Sequence, residues 1–204
     1  MSMITRRHLL LAGTALAVLG AERPAFAVEL AELLKPPTLG DMALGADEGA
    51  KVTIVEYASA TCPHCAEFHK DAWKKIKAEY VDTKKIRFIF REFPLNDAAL
   101  AAFMLARAAP KEAYFPMIGV FFDTLDTWAK NPAEGLLNIA KQAGFTQAKF
   151  EETLKNEALA KGIMEIRDAG AKFGVEGTPT FFLNGEKFNG RSFEEFKAAI
   201  DPLL

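Results

Sequence analysis

The chain's two cysteines stand three residues apart, in Cys62-Pro63-His64-Cys65. The motif follows a β-rich run and opens a run with helical spacing, so it sits where a strand turns into a helix. A three-residue offset at a helix start can bring two sulfurs within disulfide reach. It also sets Cys62 beside unpaired backbone N–H groups and the positive end of the helix dipole. Both favour a thiolate, the form that attacks a disulfide. Cys65, one turn deeper, is shielded. This predicts unequal roles: Cys62 as nucleophile and Cys65 as the thiol that resolves the mixed disulfide. Pro63 stiffens the turn at a position where its missing N–H would be unpaired anyway. His64 can add positive charge or donate toward the Cys62 sulfur, provided it does not swing into solvent. A lowered thiol pKa stabilises the reduced pair, which makes its disulfide a stronger oxidant.

Two other uses of these residues compete. A structural disulfide closing so small a ring would constrain the unfolded chain little. A metal site could draw on Cys62, His64, Cys65 and His69. His64 lies between the cysteines and points elsewhere, which leaves three ligands and no second cysteine pair to close a tetrahedral site. No metal or cofactor is expected. Lys and Arg total 25 against 27 Asp and Glu, a formal charge of -2, so nothing suggests an electrostatic grip on nucleic acid. Half of the 204 residues are hydrophobic and a quarter are charged, which supports a buried core and excludes a disordered, collagenous or coiled-coil chain.

The elements that must position the motif can be traced along the chain. Residues 1–27 read as an export signal: Arg6-Arg7, an uncharged apolar run of 12 residues from Leu9 to Gly20, and Ala25-Phe26-Ala27 as a cleavage site. The run falls short of the roughly 20 residues a membrane span needs. Thr5-Arg6-Arg7-His8-Leu9-Leu10 resembles a twin-arginine export signal, and the expected destination is an oxidising compartment outside the cytoplasm. Lys35-Pro36-Pro37 is a rigid spacer and Gly40 to Gly49 is turn-rich. Lys51–Ser59 reads as a strand, and Pro63–Tyr80 carries helical spacing through Ala66, His69, Trp73, Ile76 and Tyr80. Ile86, Phe88 and Phe90 alternate with Arg87, Ile89 and Arg91, a second strand with one face leaning to solvent. About 80 helical residues follow, with Asn96, Asn131 and Thr146 as caps, a reciprocal glutamate at Glu134, and Pro116 disturbing the segment Lys111–Trp128. Thr180–Leu183, Asn184-Gly185 and Lys187–Asn189 read as a hairpin. Ser192-Phe193-Glu194-Glu195 is a capping box for the last helix. The fold class is α/β, a small core interrupted by helices.

Pro179 begins the apolar run Thr180–Leu183, where a proline inside a strand is unfavourable. It is either a trans proline that starts the strand or a cis turn whose preceding backbone can pair with an extended substrate. Glu56 stands in a mostly apolar strand, either buried or on a solvated edge. His69 and Phe68 read as helix packing residues.

Over nearly all of residues 40–204 the sequence resembles the DsbA-like thiol:disulfide oxidoreductases of the thioredoxin superfamily. The resemblance lies in Val52-Thr53-Ile54-Val55-Glu56-Tyr57, in Cys62-Pro63-His64-Cys65 with Phe68, and in Gly177-Thr178-Pro179-Thr180-Phe181-Phe182. It implies a thioredoxin fold with an inserted all-helical domain: residues 28–95 and 174–204 form the thioredoxin-like part and 96–173 the insertion. It also implies a cis Pro179 beside the active-site disulfide, Thr178 and Pro179 as the substrate-binding pair, and Glu56 as a buried acid that takes a proton when Cys65 acts. The implied function is a periplasmic oxidase that gives its Cys62–Cys65 disulfide to reduced or unfolded exported proteins and is reoxidised by a membrane-bound, DsbB-like, quinone-linked partner. Thr178 keeps an isomerase or reductase in view, because threonine at this place resembles disulfide isomerases. Against that, the 24 residues from Val28 up to Val52 are too few for an isomerase's dimerisation domain. A peptide-binding module with an incidental cysteine pair is the non-enzymatic alternative. A monomer and an uncharged rim around the cleft are expected.

Overall fold

The computed structural model describes residues 30–204, so the export-signal segment lies outside the described residues. A short helix α1 (Leu30–Leu33) precedes strands β1 (Met42–Gly45) and β2 (Thr53–Ala58). Helices α2 (Pro63–Lys70) and α3 (Ala72–Ile76), a π-helical turn over Lys77–Val81, and β3 (Arg87–Glu92) follow. Six helices come next: α4 (Asp97–Ala108), α5 (Tyr114–Asp123), α6 (Leu125–Trp128), α7 (Pro132–Gln142), α8 (Gln147–Leu154) and α9 (Glu157–Lys172). The chain ends with β4 (Thr180–Leu183), β5 (Glu186–Phe188) and α10 (Phe193–Ile200). The sheet order is β1-β3-β2-β4-β5. The β2–β3 pair is parallel and the other neighbours are antiparallel.

β2 lies at the centre, and all six of its residues are buried. Burial on both faces explains its near-continuous apolar sequence. Ile54 and Ala58 join the larger core formed with α2, α4, α5 and α10. Val55 and Tyr57 face the opposite layer with Leu33, Ile166 and Val175. Phe68 of α2 packs at ring-centroid distances of 4.7 Å from Phe181 and 5.6 Å from Phe196, which fixes α2 against β4 and α10. α9 approaches the sheet through glycines: a Cβ at Gly170 would stand 2.7 Å from the Tyr57 ring, and one at Gly162 would stand 2.6 Å from Leu39. Asn184 and Gly185 take positive φ values of 50° and 90° in the β4–β5 hairpin.

Several local expectations change. Gly40–Gly49 is not simply a turn-rich stretch, since Met42–Gly45 pairs with β3 as an edge strand. Tertiary pairing there overrides a sequence without β-branched residues. The second face of β3 is not solvent-leaning, because Ile89 and Arg91 are buried beneath α1 and α9. Arg91 donates from Nε and Nη2 to Asp41 at 3.1 and 3.3 Å and from Nη1 to the Tyr57 hydroxyl at 3.1 Å. The helix after the cysteines breaks at Asp71 (φ -120°, ψ -80°). Pro116 is accommodated in the first turn of α5, where no helical N–H bond is lost. Asn131 does not cap α7 with its side chain; its amide donates to Glu134 Oε2 at 2.9 Å instead. The caps at Asn96 and Thr146 and the capping box at Ser192–Glu195 form as the sequence indicates.

The helices between β3 and β4 are tied to the sheet by a buried ion pair. Arg107 of α4 donates from Nε to Glu92 Oε1 at 2.6 Å and from Nη2 to Oε2 at 2.9 Å. The Tyr114 hydroxyl adds a bond of 2.6 Å to Oε1, and Arg107 Nη1 reaches the carbonyls of Leu39 and Gly40. Removing one member leaves a buried charge without its counter-charge, a loss of about 3–5 kcal/mol. Arg107→Met should therefore lower the stability by about that amount in equilibrium urea denaturation. Adding Glu92→Gln to it should recover part of the loss. A single variant as stable as the wild type would remove this pair as a determinant of the fold.

Candidate active site

Cys62 ends the loop after β2 in an extended conformation (φ -87°, ψ 118°) and is the N-cap of α2. Its N–H donates to the Ser59 carbonyl at 3.0 Å, which fixes the turn. Its sulfur takes the role that serine or aspartate fills at other helix starts, accepting from the Cys65 N–H at 3.4 Å. The thiol lies 3.2 Å from the Thr178 carbonyl and donates to it. The Cys62 pKa is lowered to about 5. The hydrogen bond from the Cys65 thiol is the main cause; burial opposes it, and the backbone N–H groups of Cys65 and His64 add to it.

Cys65 is fully buried. Burial pushes its thiol well above the ordinary range, and the nearby Cys62 and the Glu56 charge push it further in the same direction. Two sulfurs one helical turn apart thus have opposite acidities, the first bathed in donors and the second stripped of solvent. Both thiols are free.

Glu56 projects from β2 toward α2 and is fully buried, so the solvated-edge alternative does not hold. Its two carboxylate oxygens lie 3.1 and 2.9 Å from His69 Nε2. The imidazole stacks on Phe122 at 4.3 Å and meets the edges of Phe68 and Phe90. His69 is therefore more than a packing residue. The sequence signal was available: an imidazole four residues after Cys65 falls on the same helix face, but nothing in the pattern paired it with Glu56.

Pro63 opens α2 at its first position. The His64 ring is exposed and turned toward Glu67, with Nδ1 3.7 Å from its carboxylate, so the ring is not brought to the Cys62 sulfur. The four potential metal ligands do not converge, since the rings of His64 and His69 turn to two different glutamates. The Thr178–Pro179 bond is cis. Thr178 lines a groove of about 440 Å³ together with His64, Glu67, Phe68, Asp71 and Arg191. This rim is charged, contrary to the uncharged rim expected from sequence. Asp71 and Arg191 escaped notice because they belong to a helix break and a loop distant from the motif.

The comparisons place this geometry among known proteins. A family model described as Thioredoxin matches residues 38–202. The crystal structure of alpha-DsbA1 from Wolbachia pipientis aligns with a TM-score of 0.76 and 32% identity, covering 84% of this chain and 94% of that one. Disulfide bond formation protein D of Bacillus subtilis is 28% identical over 180 residues, covering 83% of this chain and 80% of its own. A Rickettsia conorii protein that bears the name protein-disulfide oxidoreductase is 32% identical over 168 residues, 80% of this chain; the match spans 60% of that relative's length. With the mixed sheet, the cysteine pair at the start of α2 and the cis proline opposite it already described, these matches lead to one conclusion: the chain belongs to the DsbA-like thiol:disulfide oxidoreductases of the thioredoxin superfamily.

Proposed function

We propose that the protein is a thiol:disulfide oxidase of the periplasm, which donates the Cys62–Cys65 disulfide to reduced or unfolded exported proteins. The observation that carries this reading is the contrast between the two cysteines: Cys62 caps α2 and accepts from the Cys65 N–H, while Cys65 is fully buried. A Cys62 thiol lowered to about 5 is ionised at neutral pH. Stabilising the reduced, ionised form makes the disulfide oxidising. A client thiolate attacks Cys62 Sγ, the disulfide breaks toward Cys65, and a second client thiolate then releases Cys62 as the thiolate its surroundings favour. In this reading Glu56 takes the proton when Cys65 must act, and the backbone of Thr178, ahead of Pro179, pairs with an extended client. A membrane-bound, DsbB-like, quinone-linked protein restores the disulfide, and the oxidase acts as a monomer after export through the twin-arginine route. Residues 28–95 and 174–204 form the thioredoxin-like domain and 96–173 the helical insertion. The charged rim of Glu67, Asp71 and Arg191 supports clients that carry charged residues near the reacting cysteine.

An isomerase or reductase is the second reading, supported by Thr178 at the position before the cis proline. Stoichiometric oxidation of a reduced test peptide, beside rescue of a protein with scrambled disulfides, separates the two. Oxidation without rescue supports the oxidase; rescue without net oxidation overturns it.

Cys62 should titrate with a midpoint of about 5 by ultraviolet thiolate absorbance. Cys65→Ala should raise that midpoint, by about one unit or more, because it removes the principal donor. His64→Ala should leave it close to the wild-type value, since the His64 contribution is a backbone N–H that alanine keeps; a rise as large as that of Cys65→Ala would assign the effect to the imidazole. The sign for stability follows from the depressed pKa. The ionised Cys62 stabilises the folded dithiol form fully above the unfolded thiol value of about 8.5. That stabilisation is lost as the pH falls through about 5. The thermal midpoint of the reduced protein should therefore rise relative to that of the oxidised protein from pH 5 to 8, which paired melting curves at each pH will check.

Cys65→Ala should accumulate mixed disulfides with client proteins through Cys62, and Cys62→Ala should form none. Mass spectrometry of acid-quenched mixtures reads both. Faster alkylation of Cys65 than of Cys62 at mildly acidic pH would reverse the roles.

A further inference from the structure

His69 has the chemistry to move a proton, and it lies outside the cysteine motif. It follows Cys65 by four residues, so the two side chains stand one above the other on the buried side of α2. Its Nε2 contacts both oxygens of the buried Glu56. The ring also borders a cavity of about 280 Å³ between α3, β1 and α5, lined by Trp73, Lys74, Lys77, Phe115 and Gly119 among others. None of the residues around this cavity lines the groove beside Cys62. His69 thus joins a buried carboxylate to a second opening, away from where a client would lie.

Accepting the thiol-exchange function proposed above, we infer that Glu56 and His69 exchange the Cys65 proton with solvent through this cavity, His69 acting through Glu56. When a client thiolate attacks Cys62 Sγ, the bond between the cysteines breaks and its electron pair stays on Cys65. Glu56 delivers a proton to that thiolate, and His69 replaces it from cavity water. In reoxidation by a disulfide-bearing partner the proton runs outward. Cys65 S–H yields it to Glu56, the new thiolate attacks Cys62 Sγ of the mixed disulfide, and the partner's sulfur leaves with the electron pair. An imidazole suits this task because one nitrogen can donate while the other accepts. An amide at the same place could bond Glu56 but could not pass a proton on. The other charged or titratable groups around the pair are Cys65 on α2, Tyr114 within electrostatic reach of Glu56, and Lys74, Lys77 and Asp123 at the cavity.

The step to measure is the expulsion of glutathione from a preformed Cys62–glutathione mixed disulfide by Cys65, followed in a single turnover across pH. His69→Gln keeps a donor for Glu56 and should slow expulsion by about tenfold or more. It should also flatten the pH profile, while the Cys62 thiolate titration stays in place. His69→Ala should regain rate on addition of imidazole. Gly119→Leu offers a route that leaves the buried pair intact. A Cβ at Gly119 meets no atom within 4 Å, so the larger side chain can enter the cavity and should slow expulsion several-fold. If His69→Gln fails to fold, Gly119→Leu decides alone. Wild-type rates and pH profiles in the folded variants would overturn the inference, as would a slowed rate with an unchanged profile and no imidazole rescue. If wild-type Cys65 expels no glutathione at all, the thiol-exchange function itself fails.

Discussion

A sulfur that caps a helix is the constraint on which the rest of this structure depends. Cys62 can accept from the Cys65 N–H only while β2 delivers the chain to the start of α2 at one fixed angle. β2 holds that angle because it is buried on both faces, and α2 because Phe68 is wedged against Phe181 and Phe196. The same placement drives Cys65 into the core, out of reach of water. Acidity at one sulfur and its suppression at the other are two results of a single packing arrangement.

The cost of this arrangement is charged groups in the interior, and three of them are answered by specific partners. Glu56 is bonded by His69, Glu92 by Arg107 and Tyr114, and Arg91 by Asp41 and Tyr57. Buried charges are tolerated when paired and hydrogen-bonded. All three clusters rest on β2 or β3. The sheet that carries the redox motif therefore also carries the charges that fix its neighbours.

Much of this was legible in the sequence, because the signals were local. The cysteine motif, the β-run before it, the Asn184-Gly185 turn and the capping box at Ser192 each depend on a few adjacent residues, and each forms. The misjudged features depend on what lies across the fold. Met42–Gly45 becomes a strand only because β3 offers it an edge. Arg91 reads as exposed until α1 and α9 close over it. The partnership of Glu56 and His69 spans 13 residues and two elements, and neither side chain announces the other. The break at Asp71 and the position of Arg191 set the charged rim of the groove, and no periodicity in the chain marks either.

The close approach of α9 to the sheet has a consequence for how this chain can change over time. The ring of Tyr57 occupies the space that a side chain at residue 170 would need, and Leu39 occupies that of residue 162. A larger residue at either glycine demands a smaller one at its counterpart, or a shift of the whole helix. Residues 57 and 170, and likewise 39 and 162, are therefore bound to drift in pairs. Descendants that keep this helix in place should show compensating exchanges of volume across those two contacts.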